Sequence, residues 1–197
     1  MTRALEAAIT WLESFPVRYA VIGGLASALV ARARLTRDVD FTIVLNEDRV
    51  EELVASGTQF GIIPRKEDWL AFARATRVIP LAHSPTNVEI DCGMAAQEFD
   101  LNVIEQALPV QIGGRDVPVA RPGDLLVMKS VARRDRDVLH IEDILDVAAD
   151  RVDFDEARRW LVMAADGYED PEILAAFDRA VEKARRRAAS DPNVEPR

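Results

Sequence analysis

A pair of glycines followed at a short distance by an Asp-x-Asp sequence most constrains what this chain can fold into. An apolar run rich in β-forming residues ends at Gly23-Gly24, where the backbone can turn sharply. The residues that follow are mostly good helix formers, and Asp38-Val39-Asp40 then opens a second apolar segment. The predicted elements are a strand at 18–22, a helix at 24–32 and a strand at 38–45.

The same segment carries residue types that bind phosphate and divalent cations. Gly23 and Gly24 let the backbone approach a ligand closely, and the free N–H groups at the start of the next helix attract anions. Asp38 and Asp40 occupy positions i and i+2 of a strand, so both carboxylates project from one face. Together these features predict a site for a nucleoside triphosphate (NTP) with Mg²⁺ or Mn²⁺.

The finer pattern of this segment is Gly23-Gly24 followed by Arg34-x-Thr36-x-Asp38-Val39-Asp40. It resembles the nucleotidyltransferase superfamily related to DNA polymerase β, and within it the AbiEii-type branch. That branch includes toxins of bacterial toxin–antitoxin pairs. The resemblance implies that Asp38 and Asp40 are metal ligands. It also implies that the nucleotide-binding residues are Gly23, Gly24, Ser27, Arg34 and Thr36, the last two by fixing the loop.

A third acidic residue lies on a later predicted strand. In Asn87–Cys92, alternation places Ile90 and Cys92 on one face and Glu89 and Asp91 on the other. The resemblance to nucleotidyltransferases implies that Asp91 completes the metal site as a third ligand, or acts as the base. The alternative is an aspartate at a strand end that faces water.

A basic helix predicted at 124–137 is the second functional signal. At about 100° per residue, Lys129, Arg133 and Arg136 share one sector of such a helix and could reach a polyphosphate. The alternative is a solvated basic edge. AbiEii-type proteins have Asp-Leu-x-x-x-Lys-x-x-Ala followed by Arg-x-x-Asp, which this segment matches. The resemblance implies that Lys129 is a phosphate ligand, with Arg133 nearby, and that Asp137 acts with the metal or the base.

Composition bounds the class of protein. The 197 residues are 49% hydrophobic and 30% charged, as in ordinary soluble globular proteins. A net charge of −9 argues against a nucleic-acid coat protein but leaves room for a local basic site. The only cysteine, Cys92, excludes an internal disulfide. No apolar run has the length of a membrane span and no signal peptide is evident, so we expect a cytoplasmic protein without a membrane partner.

The predicted fold is α/β, a small mixed sheet of four or five strands with flanking helices, followed by a C-terminal helical bundle. Gly113-Gly114 predicts a β-hairpin over 108–119. The expected domains are 1–119 and 120–187, with a flexible tail at 188–197 and the nucleotide in the cleft between the two domains.

The predicted function is metal-dependent transfer of a nucleoside monophosphate from an NTP. The resemblance points to an RNA acceptor, such as a tRNA end, or to a protein, and to a cognate toxin or antitoxin partner. Two alternatives stay open: an enzyme that modifies an antibiotic, and a non-catalytic antitoxin that keeps the fold. Basic residues around the site favour a short RNA end as the acceptor. We expect that the arginines in the loop before Asp38 have no acidic neighbours. The basic residues concerned are Arg32, Arg34, Arg37, Lys129, Arg133, Arg134 and Arg136.

Overall fold

The computed structural model describes residues 1–32 and 36–190, without the side chains of 135, 136 and 188. The chain divides into two compact units. The first comprises Met1–Leu29 and the described part of Ala33–Arg121. The second comprises Val30–Arg32 and the described part of Pro122–Arg197. No helix among the described residues is long and apolar enough to cross a membrane.

A mixed seven-stranded sheet forms the centre of the first unit, as far as the chain is described. Its order is β3-β4-β5-β2-β1-β7-β6, with β2 and β5 parallel, β1 and β7 parallel, and the other neighbours antiparallel. The strands are β1 (Arg18–Ile22), β2 (Asp38–Val44), β3 (Ile62–Pro64), β4 (Val78–His83), β5 (Val88–Met94), β6 (Leu108–Ile112) and β7 (Arg115–Val119).

The sheet is larger than the four or five strands predicted. The hairpin of β6 and β7 does not stand apart, because Val119 of β7 pairs with Val21 of β1 and extends the sheet. Its turn is the predicted glycine pair, and both glycines adopt the left-handed backbone region, with φ of 59° at Gly113 and 80° at Gly114. At the other edge, the three-residue strand β3 adds a further neighbour to β4.

Alternation along the first half of β2 and along β5 gives these two strands a buried and a carboxylate-bearing face. Val39 and Phe41 of β2 and Ile90 and Cys92 of β5 are fully buried. The residues between them, Asp40 and Asp91, are half-buried, whereas Asp38 is half-buried and Glu89 exposed at the preceding positions. The buried face belongs to the apolar core, and its burial fixes the direction of the acidic side chains on the other face.

Helices and short 3₁₀ turns complete the first unit. Helix α1 is anchored by the buried Trp11, whose indole N–H is within hydrogen-bond distance of the Leu53 carbonyl (3.2 Å) and the Ser56 hydroxyl (2.9 Å). The elements are α1 (Thr2–Ser14), α2 (Gly23–Val30), α3 (Val50–Gly57), α4 (Trp69–Thr76) and α5 (Glu98–Glu105), with 3₁₀ turns at Glu47–Arg49 and Thr58–Phe60.

The second unit is helical. Its helices pack apolar faces around side chains such as Leu126, Ile144 and Leu161, which are fully buried. They are α6 (Pro122–Ala132), α7 (Asp135–Val147), α8 (Phe154–Gly167) and α9 (Glu172–Ser190), with a 3₁₀ turn at Ala149–Arg151. The predicted fold class, a mixed α/β sheet followed by a helical region, is confirmed.

The single basic helix predicted at 124–137 is wrong, because the chain breaks between α6 and α7. Arg133 adopts a left-handed φ of 47°, and its N–H bonds the Lys129 carbonyl at 3.0 Å, which ends α6. The Arg134 N–H then donates to Oδ2 of Asp137 at 3.1 Å and starts α7. Lys129 and Arg136 therefore lie on different helices, not on one stripe, and the side chain of Arg136 lies outside the described structure.

Candidate active site

Four carboxylates occupy adjacent positions on one face of the central strands. In the parallel pair of β2 and β5, Asp40 is the register partner of Asp91, and Asp38 is the partner of Glu89. Neighbouring strands are about 4.8 Å apart, and register partners project from the same face. The structure therefore brings Asp38, Asp40 and Asp91 together on two adjacent strands.

Gly23 and Asp40 are fitted to each other. A Cβ atom on Gly23 would lie 1.9 Å from Oδ2 and 2.6 Å from Cγ of Asp40, and Gly23 has a left-handed φ of 71°. The contact arises because Asp40 pairs with Ile22, the last residue of β1, immediately before Gly23. Helix α2 begins at Gly23, so its N-terminal N–H groups lie beside the Asp40 carboxylate.

The other predicted residues of this segment contribute local hydrogen bonds. The Thr36 hydroxyl lies 2.8 Å from Oδ1 of Asp38 and 3.0 Å from its carbonyl oxygen, so it fixes the start of β2. The Ser27 hydroxyl donates to the Gly23 carbonyl inside α2 at 2.9 Å. Gly24 lies in the first turn of α2. Arg34 lies outside the described residues.

Arg65 is a member of the site that the sequence did not indicate. Its guanidinium forms a two-pronged contact with Asp91, Nη1 to Oδ1 at 2.6 Å and Nη2 to Oδ2 at 3.2 Å, and its Nε lies 3.6 Å from Oε2 of Glu89. Burial by itself lowers the pKa of Arg65, but the hydrogen bond to Asp91 and the charges of Asp91, Glu89 and Asp40 raise it on balance. No local motif distinguishes Arg65 from other arginines, because the contact joins residues 26 apart in the chain.

The chemistry of the donor set fits a divalent cation, since carboxylate oxygens are the ligands that Mg²⁺ and Mn²⁺ prefer. Asp38, Asp40 and Asp91 are the residues that would hold it. Among the described residues, however, no three such side chains already converge on one point. Asp91 is held by Arg65 and Asp38 by Thr36. Joint binding by the three aspartates therefore places the cation in competition with Arg65 for the charge of Asp91.

In the second unit, Lys129 and Asp137 meet as a buried ion pair. Lys129 Nζ lies 3.5 Å from Oδ1 of Asp137, and the side chains are 6% and 0% exposed. Arg134 adds a bond from Nε to Oδ2 at 2.7 Å. Burial opposes the charged form of Asp137, but the hydrogen bonds and charge of Arg134 and the charge of Lys129 outweigh it, so the pKa of Asp137 lies below its ordinary value.

Acidic neighbours accompany most of the other basic residues in this unit. Arg133 pairs with Asp170 and Arg32 with Asp143, the latter at 3.5 Å. The expectation that the arginines of the loop are unopposed is therefore wrong for Arg32. Arg37 is exposed.

A groove of about 260 Å³ between α7 and α9 also has basic residues that pair with an acidic neighbour. Its basic rim residues Lys183 and Arg187 both pair with Glu142. The groove is therefore not an open basic surface for a polyanion.

A mixed sheet whose acidic strand lies against a glycine turn defines the class of the protein as nucleotidyltransferase-like. A family model described as "Nucleotidyl transferase of unknown function (DUF2204)" matches residues 1–174. The chain belongs to this family of nucleotidyl transferases. The AbiEii-type branch is not identified by that match.

Three solved structures are similar to this chain at low sequence identity, each with a TM-score below 0.5. A solution structure of the antibiotic-resistance factor ANT(2'')-Ia is 16% identical, covers 95% of this chain and 96% of its own, and has a TM-score of 0.47. ANT(2'')-Ia in complex with adenylyl-2''-tobramycin is 17% identical, with coverages of 89% and 95% and a TM-score of 0.46. An antigenic nucleotidyltransferase-like protein from Paracoccidioides brasiliensis is 15% identical, with coverages of 90% and 92% and a TM-score of 0.43. Comparison with curated proteins finds no match.

Proposed function

We propose that this chain transfers a nucleoside monophosphate from an NTP to an acceptor hydroxyl group. The acceptor oxygen attacks the α-phosphorus, the bond from that phosphorus to the oxygen bridging to the β-phosphate breaks, and pyrophosphate leaves. The proton of the acceptor passes to a base. Membership of the nucleotidyl transferase family supports this reaction class.

The observation that carries the proposal is the contact between Asp40 and Gly23. A glycine with a left-handed φ starts a helix against a carboxylate whose strand neighbours, Asp38 and Asp91, are also acidic. A phosphate at the start of α2 would lie next to these carboxylates. Clustered like charges cost stability, so a bound cation best explains their placement, and a phosphate would reach them together with that cation.

We assign roles in this reaction to residues of the first unit. The backbone at Gly23 and Gly24 binds the triphosphate through N–H groups, and Thr36 orients Asp38. Asp38, Asp40 and Asp91 hold Mg²⁺ or Mn²⁺, which when bound neutralises charge on the phosphates. Asp91 has a second possible role, as the group that accepts the proton of the attacking hydroxyl.

The roles of the other predicted residues stay predictions. Lys129, Arg133 and Asp137 form ion pairs within the second unit, and Ser27 bonds inside α2. These contacts give no support for phosphate binding by Ser27, Lys129 and Arg133, or for a part of Asp137 in the chemistry of the metal or the base. For the buried Lys129 and Asp137 they support a part in holding the helices together.

For the acceptor we propose an RNA end or a protein, with a toxin–antitoxin setting in the cytoplasm. This rests on the resemblance of the Gly-Gly and Arg-x-Thr-x-Asp-x-Asp segment to the AbiEii-type branch. The ion pairs of Arg32 and Arg133 with Asp143 and Asp170 remove part of the charge argument for RNA.

The test is incubation with each of the four NTPs, labelled at the α-phosphate, with Mg²⁺ and three acceptor pools: total RNA, lysate protein and an aminoglycoside mixture. We expect label in RNA or protein with the unchanged chain and none with the double variant Asp38→Asn, Asp40→Asn. Label in the aminoglycoside pool would move the chain to the antibiotic-modifying class. Absence of label in all pools, together with no NTP binding by calorimetry, would favour a non-catalytic interaction protein.

A further inference from the structure

Arg65 lies at the end of a row of residues that crosses the sheet. Its backbone N–H donates to the Pro80 carbonyl at 3.1 Å, immediately beyond the last paired residue of β3. Pro80 is the register partner of Asp91 on β5, and Asp91 is the partner of Asp40 on β2. The row therefore runs Arg65, Pro80, Asp91, Asp40.

The β4 position between Arg65 and Asp91 is occupied by a compact side chain. Pro80 carries no long or charged group, and Ala82 is the corresponding position of the next row, beside Glu89. The Arg65 side chain can therefore extend across β4. Its guanidinium is also held by the carbonyl of Leu81, with Nη1 to oxygen at 3.2 Å. A planar guanidinium fixed in this way has a defined direction towards Asp91.

We propose that Arg65 is a positioning residue for Asp91, a built-in counterion that competes with a divalent cation when Asp91 completes the carboxylate site. This inference rests on the proposed function. Without a cation, Arg65 reduces repulsion among four clustered carboxylates and keeps the row compatible with a stable sheet. With a cation, the two positive charges compete for the same Asp91 oxygens.

If Arg65 acts as a counterion, its removal changes the stability of the protein and its affinity for the cation in opposite directions. A purely structural role does not predict this. Removal of the Arg65 charge makes the site more negative, so the protein without cation becomes less stable while the cation binds more tightly. If Arg65 only held the segment after β3 in shape, its removal would misplace Asp91 and weaken cation binding.

The experiment measures the thermal unfolding midpoint of the full chain as a function of Mn²⁺ concentration. The shift of the midpoint gives the affinity for Mn²⁺ even where that affinity is in the millimolar range. The variants are Arg65→Gln, which removes the charge, and Arg65→Lys, which keeps the charge but loses the two-pronged contact of the guanidinium with Asp91. Lys66→Gln is the matched control, because it removes the same charge from the next residue, whose Nζ lies 3.6 Å from the centre of the Phe72 ring. Asp40→Asn tests the site itself.

We expect Arg65→Gln to lower the midpoint without Mn²⁺ and to tighten Mn²⁺ binding about fivefold, a modest factor because the pair is partly exposed to solvent. Arg65→Lys should bind Mn²⁺ about twofold more tightly than the unchanged chain, since a single ammonium competes with Mn²⁺ for Asp91 less well than the two-pronged guanidinium does. Lys66→Gln should bind as the unchanged chain does.

Equal or weaker Mn²⁺ binding by Arg65→Gln, or by Arg65→Lys if the first variant does not fold, overturns the role of Arg65. That result leaves the proposed function standing as long as Asp40→Asn loses the response to Mn²⁺. If the unchanged chain and Asp40→Asn respond identically to Mn²⁺, the carboxylates do not bind a cation, and the proposed function fails together with the inference.

Discussion

A Cβ atom on Gly23 would lie 1.9 Å from Oδ2 of Asp40, so the start of α2 and the acidic strand β2 are in direct van der Waals contact. Only glycine fits here, for two separate reasons: the left-handed φ of 71° and the space taken by the Asp40 carboxylate. The glycine turn and the Asp-x-Asp sequence are thus one structural feature.

The first prediction separates these two reasons by alanine substitution. Gly114 also has a left-handed φ, of 80°, but a Cβ there would meet nothing within 4 Å. Gly114→Ala should therefore cost only the backbone strain, about 1 kcal/mol. Gly23→Ala should cost the same strain plus displacement of Asp40, about 3 kcal/mol or more in total. Equal losses in the free energy of unfolding by denaturant would show that the carboxylate moves aside freely.

The second prediction uses one substitution at two aspartates. Asp40 lies opposite another carboxylate but also beside the start of α2, and the two effects oppose each other, so Asp40→Asn should change the free energy of unfolding by less than about 0.5 kcal/mol while abolishing nucleotidyl transfer. Asp137 is buried against Lys129 and Arg134, so Asp137→Asn should lower it by about 3 kcal/mol. Denaturant titration measures both. Loss of stability in Asp40→Asn would mean that this carboxylate has a structural role.

The third prediction concerns acid. The pKa of Asp137 is lowered in the folded chain, so its ion pairs contribute stability above the ordinary carboxyl pKa of about 4, and that contribution is lost as the pH falls through the lowered value. Amides of α6 and α7 should therefore lose protection from hydrogen exchange as the pH falls below about 4, after correction for the intrinsic rate. In Asp137→Asn this step should be absent. An unchanged acid profile in the variant would assign the transition to other carboxylates.

The fourth prediction turns Cys92 into a reporter of the first unit. Its thiol is fully buried in β5, and burial, helped by the charges of Asp91 and Asp40, raises its pKa. A thiol reagent should therefore label Cys92 only when the sheet opens, and a reagent excess should reveal the opening rate. Variants of Asp38, Asp40 and Arg65 that keep slow labelling have kept their fold. Immediate labelling of the unchanged chain would contradict the burial of β5.

Local patterns predicted the parts of this structure that depend on short stretches of chain. Alternation placed Ile90 and Cys92 inside and Glu89 and Asp91 outside, and the glycine pair at 113 and 114 gave the hairpin. These features follow from backbone geometry and residue type over a few positions.

Features set by distant residues could not be predicted in the same way. The register that pairs Asp40 with Asp91 depends on how two separate strands align. The contact of Arg65 with Asp91 depends on an edge strand of three residues. The break at Arg133 uses a left-handed residue that is not glycine, so no composition signal marks it, and the burial of Lys129 results from packing within the helical unit.

The proposed reaction moves a nucleoside monophosphate and not a phosphate. The most direct measurement compares two labels of the same NTP, one at the α-phosphate and one at the γ-phosphate, with Mg²⁺, the responsive acceptor pool and Asp40→Asn as the control. We expect that only the α-label joins the acceptor, that the γ-label is recovered in pyrophosphate, and that Asp40→Asn transfers neither. Transfer of the γ-label to the acceptor, or α-label transfer undiminished in Asp40→Asn, would contradict the proposed reaction.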